Sequence, residues 1–457
     1  MRPMTVLTPT GCLGLGPLDE AAFRQGMRRG PAAVAVDAGS IDPGPFYLGA
    51  GLPHQARFET MRELTLLLPA VKEAGIPLII GTAGGSGGRR HLEWNLALIE
   101  EVARERKLPL RVAVIDTSLD KEDLKRRLRT QRARGLGFEA DLTAEDVDAC
   151  TEVVAQVGVE TLLPALEERP DVVLAGRACD DALAAAVPVR AGFDRGLALH
   201  MGKLMECAGA ITVPESIWGS VIGTIDERGF VLESADETRA CTVGSVAAHE
   251  LYERESPLAQ PVPGGTVDMR ASRFEQVDPR RVRVEGSRFA PAAEYLVKLE
   301  GAQRIGYRSV FISGVRDPSM IAALDQILER ARAETERDVG SRLGLSLGRD
   351  YRIAFRVYGR NGVMGIRERE APDLPHEVGL VLEVVAPTQE LARDIAMFAK
   401  SPIMWAHFPG RLTTAGNLAY PFSPSVLEAG EAFRLRVHHL LPIEDPRMFK
   451  PEIHEVT

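Results

Sequence analysis

Cysteine is scarce in this chain. There are five in 457 residues, Cys12, Cys150, Cys179, Cys207 and Cys241, and no two have C-x-x-C spacing. An odd number at wide spacing excludes a disulfide framework and a cysteine-rich zinc site, and fits reduced thiols in a cytoplasm. No apolar run approaches the roughly 18 residues of a membrane span. The opening residues to Thr10 carry Pro3 and Pro9 and no long apolar stretch, so they do not read as a signal peptide. A cytoplasmic protein with no membrane partner is expected. An excess of positive charge is also absent. Lys and Arg number 55 against 64 Asp and Glu, a net charge of −9. Such a surface repels phosphate backbones, so no nucleic acid partner is expected. The densest basic run, Lys125-Arg126-Arg127 with Arg129, Arg132 and Arg134, follows Asp116, Asp120, Glu122 and Asp123. That mixture reads as a solvated helix. No internal repeat or low-complexity segment is present.

Hydrophobic residues make up 45% and charged residues 26%, enough to bury a sizeable core. Over residues 1–210, short apolar runs alternate with helical patterns. Ala32–Val36 ends at Asp37, Leu78–Ile80 at Gly81, Leu110–Ile115 at Asp116 and Val172–Leu174 at Gly176. The intervening helices are expected at Arg57–Ala74, Leu92–Glu105 and Ala144–Val157. This is the pattern of an α/β domain, a parallel sheet with helices on both faces. In such folds ligands bind beyond the carboxyl ends of the strands. Residues 211–300 read as a β-rich insertion, with strands expected at Val221–Leu232, Cys241–Ala247 and Arg281–Val284. Residues 301–457 read as a ferredoxin-like α+β domain: strand, helix, two strands, helix, strand.

Five segments carry candidate chemistry. The loop Asp37 to Tyr47 follows a buried strand and presents Asp37, Ser40 and Asp42, which suit ligand orientation, cation binding or proton transfer. It equally suits a turn whose side chains cap its own backbone. The turn Gly81–Gly88, with Gly84, Gly85 and Ser86, can offer backbone N–H groups to an anion at a helix N-terminus. It lacks the Gly-Lys-Ser/Thr of a phosphate loop, and close packing of helix on sheet is the other reading. His91 and Glu93 point to different helix faces, so a structural role suits at least one. In Ala175–Asp181, Arg177 suits a carboxylate or phosphate, and Asp180 and Asp181 suit holding Arg177, binding a cation or capping a helix. On Leu199–Cys207, helical spacing gathers His200, Lys203, Glu206 and Cys207 on one face, opposite Leu197, Met201, Leu204 and Met205. The long loop Phe408–Ser425, with Asn417, suits a lid. His438 and His439 alternate along a strand, which argues against a two-His metal site.

The segments DAGSIDPGP, GTAGGSGGRRHLEW, GRACDDALAAAVPVRAGF, HMGKLMECAGA and GRLTTAGNLAYPFSPS together resemble the acyclic terpene utilisation (AtuA-like) family, over nearly the whole chain. The resemblance implies a setting in bacterial catabolism of branched acids and terpenoid alcohols, beside acyl-CoA or dicarboxylate enzymes, sometimes with a small partner protein. Thr10–Gly16 and Lys203 depart from the family's pattern, which implies a divergent branch.

Two functions follow as expectations. One is a catabolic enzyme acting on a small organic acid or its acyl thioester, of hydro-lyase type. Asp37, His200, Lys203 and Glu206 would supply acid and base. Ser40, Asp42, Gly84, Gly85, Ser86, Arg177, Asp180 and Asn417 would bind the substrate. The other is a non-catalytic binding or scaffolding subunit that serves a small partner. A homo-oligomer is expected. No cofactor and no metal ligand set is expected, and a divalent cation is left open. The three strand-end loops 37–45, 81–88 and 176–181 should converge on one cleft.

Overall fold

The structure is a computed structural model, and it describes residues 1–369 and 374–457. The chain forms two compact units, Met1–Gln303 with Leu435–Thr457, and Arg304–Arg434. One division falls between Gln303 and Arg304, beside the expected boundary at 300, and none falls near 210. Residues 211–300 add strands to the sheet begun by the first 210, and the last residues return to that sheet.

In the first unit, strands β1 (Met4–Thr8), β2 (Ala33–Asp37), β3 (Leu78–Gly81), β4 (Leu110–Ile115), β5 (Cys150–Gln156) and β6 (Val172–Ala175) come first in the chain. Five of them lie side by side in the order β1-β2-β3-β6-β4, all parallel. Alternation along each strand sends Val34, Val36, Leu78, Ile80, Val172 and Leu174 into one core, and Ala35, Ile79 and Val173 into the other. Helices α1 (Arg57–Ala74) and α2 (Arg89–Arg106) cover the first face, and α3 (Asp180–Arg190) and α4 (Arg195–Met205) cover the second.

The sheet is mixed rather than purely parallel. Strand β7 (Val221–Ile225) pairs antiparallel with β1, and β8 (Gly229–Ser234), β10 (Arg281–Glu285) and β9 (Arg273–Asp278) extend it in that order. At the opposite edge the segment Glu452–Val456 pairs antiparallel with β4. Residues 144–157, expected to be one helix, are a helix to Ala149 followed by β5, where Thr151, Val153 and Val154 suit a strand. Strand β5 pairs with Lys298–Gln303. Cys241–Ala247, expected as a strand, contributes most of helix α5 (Val243–His249). A capping box between Thr242 and Ser245 starts this helix and overrides the strand preference of Val243 and Val246.

The second unit runs strand, helix Pro318–Leu343, strands Arg352–Tyr358 and Val378–Ala386, helix Gln389–Met404, strand. Its strand pairings are antiparallel between 307–315 and 378–386, and between 352–358 and 379–385. Thr388 caps the second helix by accepting from Leu391 N. This unit has its own apolar cores around Phe311, Leu382 and Ile395, and around Leu324, Leu380 and Ile403. Among the described residues no helix is long and apolar enough to cross a membrane.

Candidate functional site

The carboxyl ends of β2, β3 and β6 meet. Ala38 N donates to Gly81 O at 3.0 Å, and Thr82 N donates to Gly176 O at 2.9 Å. The loop after β1 joins them, with Leu13 N donating to Asp37 O at 2.9 Å. The three strand-end loops thus share one place, as their common direction requires.

Asp37 ends β2. Its Oδ2 accepts from Gly39 N at 2.7 Å, while its Oδ1 is buried with no partner. Burial foremost, and then the neighbouring Asp180 carboxylate, push the Asp37 carboxyl well above the usual range against the pull of Arg177. Ser40 Oγ accepts from Asp42 N at 3.1 Å, a local turn, and Asp42 is exposed. Cys12 lies beside the loop, and burial followed by Asp37 and Glu63 pushes its thiol up. Neither feature favours a thiolate there.

Of the two readings of the glycine-rich turn, the contacts match close packing. All of Gly81–Gly88 is buried, and the N–H groups of Thr82, Gly85 and Gly87 already donate to carbonyls. A side-chain carbon on Gly87 would collide with the backbone of Arg177, and one on Gly84 would lie 2.6 Å from His91 Cβ. The glycines serve close approach. The anion at the start of α2 is the chain's own: Glu152 accepts from Arg89 N at 2.7 Å and from Ser118 Oγ at 2.8 Å. Ser86 Oγ is buried and unpartnered. His91 is buried and bonds Leu52 O at 2.9 Å, and Glu93 is exposed. Thr82 holds φ 50°, a left-handed conformation uncommon for a β-branched residue. Its Oγ1 receives Arg177 Nη1 at 3.3 Å and Ala178 N at 3.4 Å.

Arg177 is 3% exposed. Its Nε donates to Glu300 Oε2 at 2.9 Å and its Nη1 to Ala178 O at 2.8 Å, with Asp180 Oδ1 at 3.5 Å. Glu300 also pairs with Lys298 at 2.7 Å. Burial opposes the charge on Glu300, but Arg177 and Lys298 outweigh it and hold the carboxyl down to about 2. Arg177 therefore braces the loop more than it waits for an anion. Neither Asp180 nor Asp181 caps α3, whose N-cap is Cys179. Asp181 accepts from Gln260 Nε2 at 2.8 Å, and burial pushes it up to about 6.

Helix α4 is buried all round, so its polar face does not look to water. The segment from α5 to Arg254 covers it. His200 is fully buried and edge-on to Phe230, and it pairs with Glu250, which Arg254 also holds. His200 is thus taken up in a His200–Glu250–Arg254 chain. Lys203 pairs with Glu206 and lies 5.7 Å from the Tyr252 ring centroid. Burial opposes the ammonium charge, but Glu206 outweighs it and holds Lys203 above its ordinary pKa. A lysine in that state is a charge, not a base. Burial foremost raises Glu206, and Asp180 adds to this against Lys203. Asp180 is also felt at Asp37, so Asp37, Asp180, Lys203 and Glu206 form one electrostatic cluster.

Sequence reasoning missed His249, Glu250, Tyr252 and Arg254. The His-Glu pair at the end of α5 was their signal, hidden by reading that segment as a strand. One ligand atom each from Glu206, Cys207 and His249 lie within 4.8 Å of one another. His249 is 7% exposed, stacked on Tyr252 with centroids 5.1 Å apart, and its Nε2 is buried without a partner. Burial, with Lys203 and Arg254, pushes its imidazole down to about 4.

A family model described as acyclic terpene utilisation family protein AtuA matches residues 54–422. The chain belongs to the AtuA family. No curated protein and no solved structure is matched. The matched span of this AtuA-family chain includes Arg177, Asp180, Lys203, Glu206 and His249, while Asp37 and Cys12 precede it.

The second unit carries Asn417. Its Nδ2 donates to Ala406 O at 2.9 Å and its N–H to Met404 O at 2.9 Å, bonds local to its loop. This unit also has a cavity of about 380 Å³ lined by Arg308, Arg332, Arg352 and Glu383 among others. Glu383 pairs with Arg308 of this lining and with Arg356 outside it.

Proposed function

We propose that the chain is a catabolic enzyme acting on a small organic acid or its acyl thioester, by loss or addition of water. The observation that carries this reading is Asp37. A buried carboxyl with a free oxygen and a pKa raised by burial, at the end of a parallel strand and beside Asp180, suits proton transfer. In the elimination direction Asp37 takes the proton from the carbon beside the carboxylate or thioester carbonyl. The carbon–oxygen bond then breaks, and the hydroxyl leaves as water with a proton from a second acid. Lys203 supplies fixed positive charge that binds the substrate's carboxylate.

The binding-subunit reading is favoured by a different observation. Arg177 and the α2 N-terminus already have internal partners in Glu300 and Glu152. For the second unit we propose a ferredoxin-like fold. Its strand order, 352–358, 378–386, 296–315, 426–442, supports this.

The test is a metabolite screen of the purified chain by thermal shift. Hits are then incubated in D₂O and followed by proton NMR. Exchange at the carbon beside the carbonyl, lost in Asp37→Asn, is the expected result. A chain that binds such acids without exchange or turnover unless a second protein is added would overturn the enzyme reading.

A further inference from the structure

We propose that Glu206, Cys207 and His249 form a binding site for a divalent transition cation of the zinc type. Their ligand atoms lie within 4.8 Å of one another. Ligands of a tetrahedral zinc stand roughly 3.3–3.7 Å apart, given bonds of about 2.0–2.3 Å. Side-chain shifts of at most about 1–1.5 Å close the difference. The independent observation is His249. It is more than nine-tenths buried, and its Nε2 has no hydrogen-bond partner. A buried imidazole nitrogen left unpaired costs free energy, and a metal bond removes that cost. Stacking on Tyr252 at an interplanar angle of 12° already fixes the plane of the ring.

The donor set selects the metal. Sulfur, imidazole nitrogen and carboxylate oxygen together favour zinc or cobalt over magnesium or calcium. Three protein ligands leave a fourth position for water or substrate, which is the pattern of catalytic rather than structural zinc. Cys207 is partly exposed and gives the ion its way in. Of the charges around the site, Asp180 and Asp181 draw a dication in while Lys203 and Arg254 oppose it, so the three ligand atoms themselves carry the binding. Lys203 holds Oε1 of Glu206, which leaves Oε2 to bind the metal. On binding, the Cys207 thiol proton is released to water and a sulfur–metal bond replaces the sulfur–hydrogen bond.

The test uses the full chain stripped with a chelator, then titrated with Zn²⁺ and separately with Co²⁺, without substrate. The expected result is one equivalent of Co²⁺ bound, with a thiolate-to-cobalt charge-transfer band and d–d bands of tetrahedral intensity. The charge-transfer band disappears in Cys207→Ser, and zinc affinity falls at least about tenfold in His249→Ala, while Cys12→Ser keeps both. X-ray absorption of the zinc-loaded wild type should show one sulfur among nitrogen and oxygen ligands, which keeps the proposal testable if a variant does not fold. A wild type that binds no stoichiometric metal, or a band unchanged in Cys207→Ser, would overturn it. Because no substrate is involved, failure here leaves the proton-transfer reading of Asp37 untouched, and the reverse also holds.

Discussion

Gly202 of helix α4 lies against the carbonyl oxygen of Asp181 in helix α3, so close that any side-chain carbon at position 202 would collide with it. A glycine inside a helix costs about 1 kcal/mol relative to alanine. The same holds along this segment. Gly196 meets the backbone of Arg288 and Phe289, and Gly209 that of Ser216. Each glycine admits another backbone, and Gly202 sets the separation between the strand-end loop carrying Asp180 and the helix carrying Lys203. Gly202→Ala should destabilise the first unit by about 1–3 kcal/mol despite the better helix propensity. Chemical denaturation measures this. A variant as stable as the wild type would show that the two helices can move apart at no cost.

Glu63 is fully buried, with Oε2 accepting from Gly14 N at 2.6 Å and Oε1 unpartnered. Burial raises its pKa from 4.5 to about 7, against the pull of the Gly14 N–H. The folded chain therefore holds this proton more tightly than the unfolded chain does. That contribution is fully present below the unfolded pKa and is lost as pH rises through about 7. Between about pH 5 and 8 the loss is on the order of 2–3 kcal/mol. Glu63→Gln keeps an acceptor for Gly14 and removes the titration, so its stability should fall less over that range. Parallel wild-type and variant curves of stability against pH would reject the assignment.

Much of the first unit was legible because its strands are buried on both faces. Leu110–Ile115 and helix Arg57–Ala74 have the bounds their patterns predict, since continuous apolar runs and 3.6-residue spacing need no distant partner to be read. The convergence of Asp37, Thr82 and Arg177 was legible for the same reason, because parallel strands share a direction. What was not legible depended on long-range partners. Nothing near Arg177 announces Glu300, 123 residues away, and nothing near Gly88 announces Glu152. The cover over Lys203 was missed because Cys241–Ala247, with Val243 and Val246, reads locally as a strand. The helix owes its start to Thr242 and Ser245.

Arg177 and Glu300 are 3% and 1% exposed, and they face each other at 2.9 Å. Removing one partner leaves an uncompensated buried charge. Arg177→Ala should therefore destabilise the fold by about 3–5 kcal/mol. Arg177→Met with Glu300→Leu should lose less than the sum of the two single changes, as a double-mutant cycle in urea would show. Additive losses would mean that the pair does not interact energetically. An Arg177→Ala variant of wild-type stability that fails to bind an organic acid would restore the anion-binding role.

Lys203 and Asp37 should separate kinetically once a substrate is in hand. Lys203 is held as an ammonium by Glu206, so it contributes charge to binding rather than a basic nitrogen. Losing a charge-assisted contact costs about 1.5–3 kcal/mol, or about 10- to 150-fold in KM. Lys203→Met should show that rise with turnover largely kept, and Lys203→Arg should recover part of it. Asp37 is the group whose free oxygen and raised pKa suit moving a proton. Asp37→Asn keeps an oxygen for the Gly39 N–H and cannot take the proton, so kcat should fall about 10²- to 10⁴-fold with KM little changed. The opposite split, with turnover lost in Lys203→Met and binding lost in Asp37→Asn, would exchange the two roles. Wild-type kinetics in both variants would move the chemistry away from this cluster.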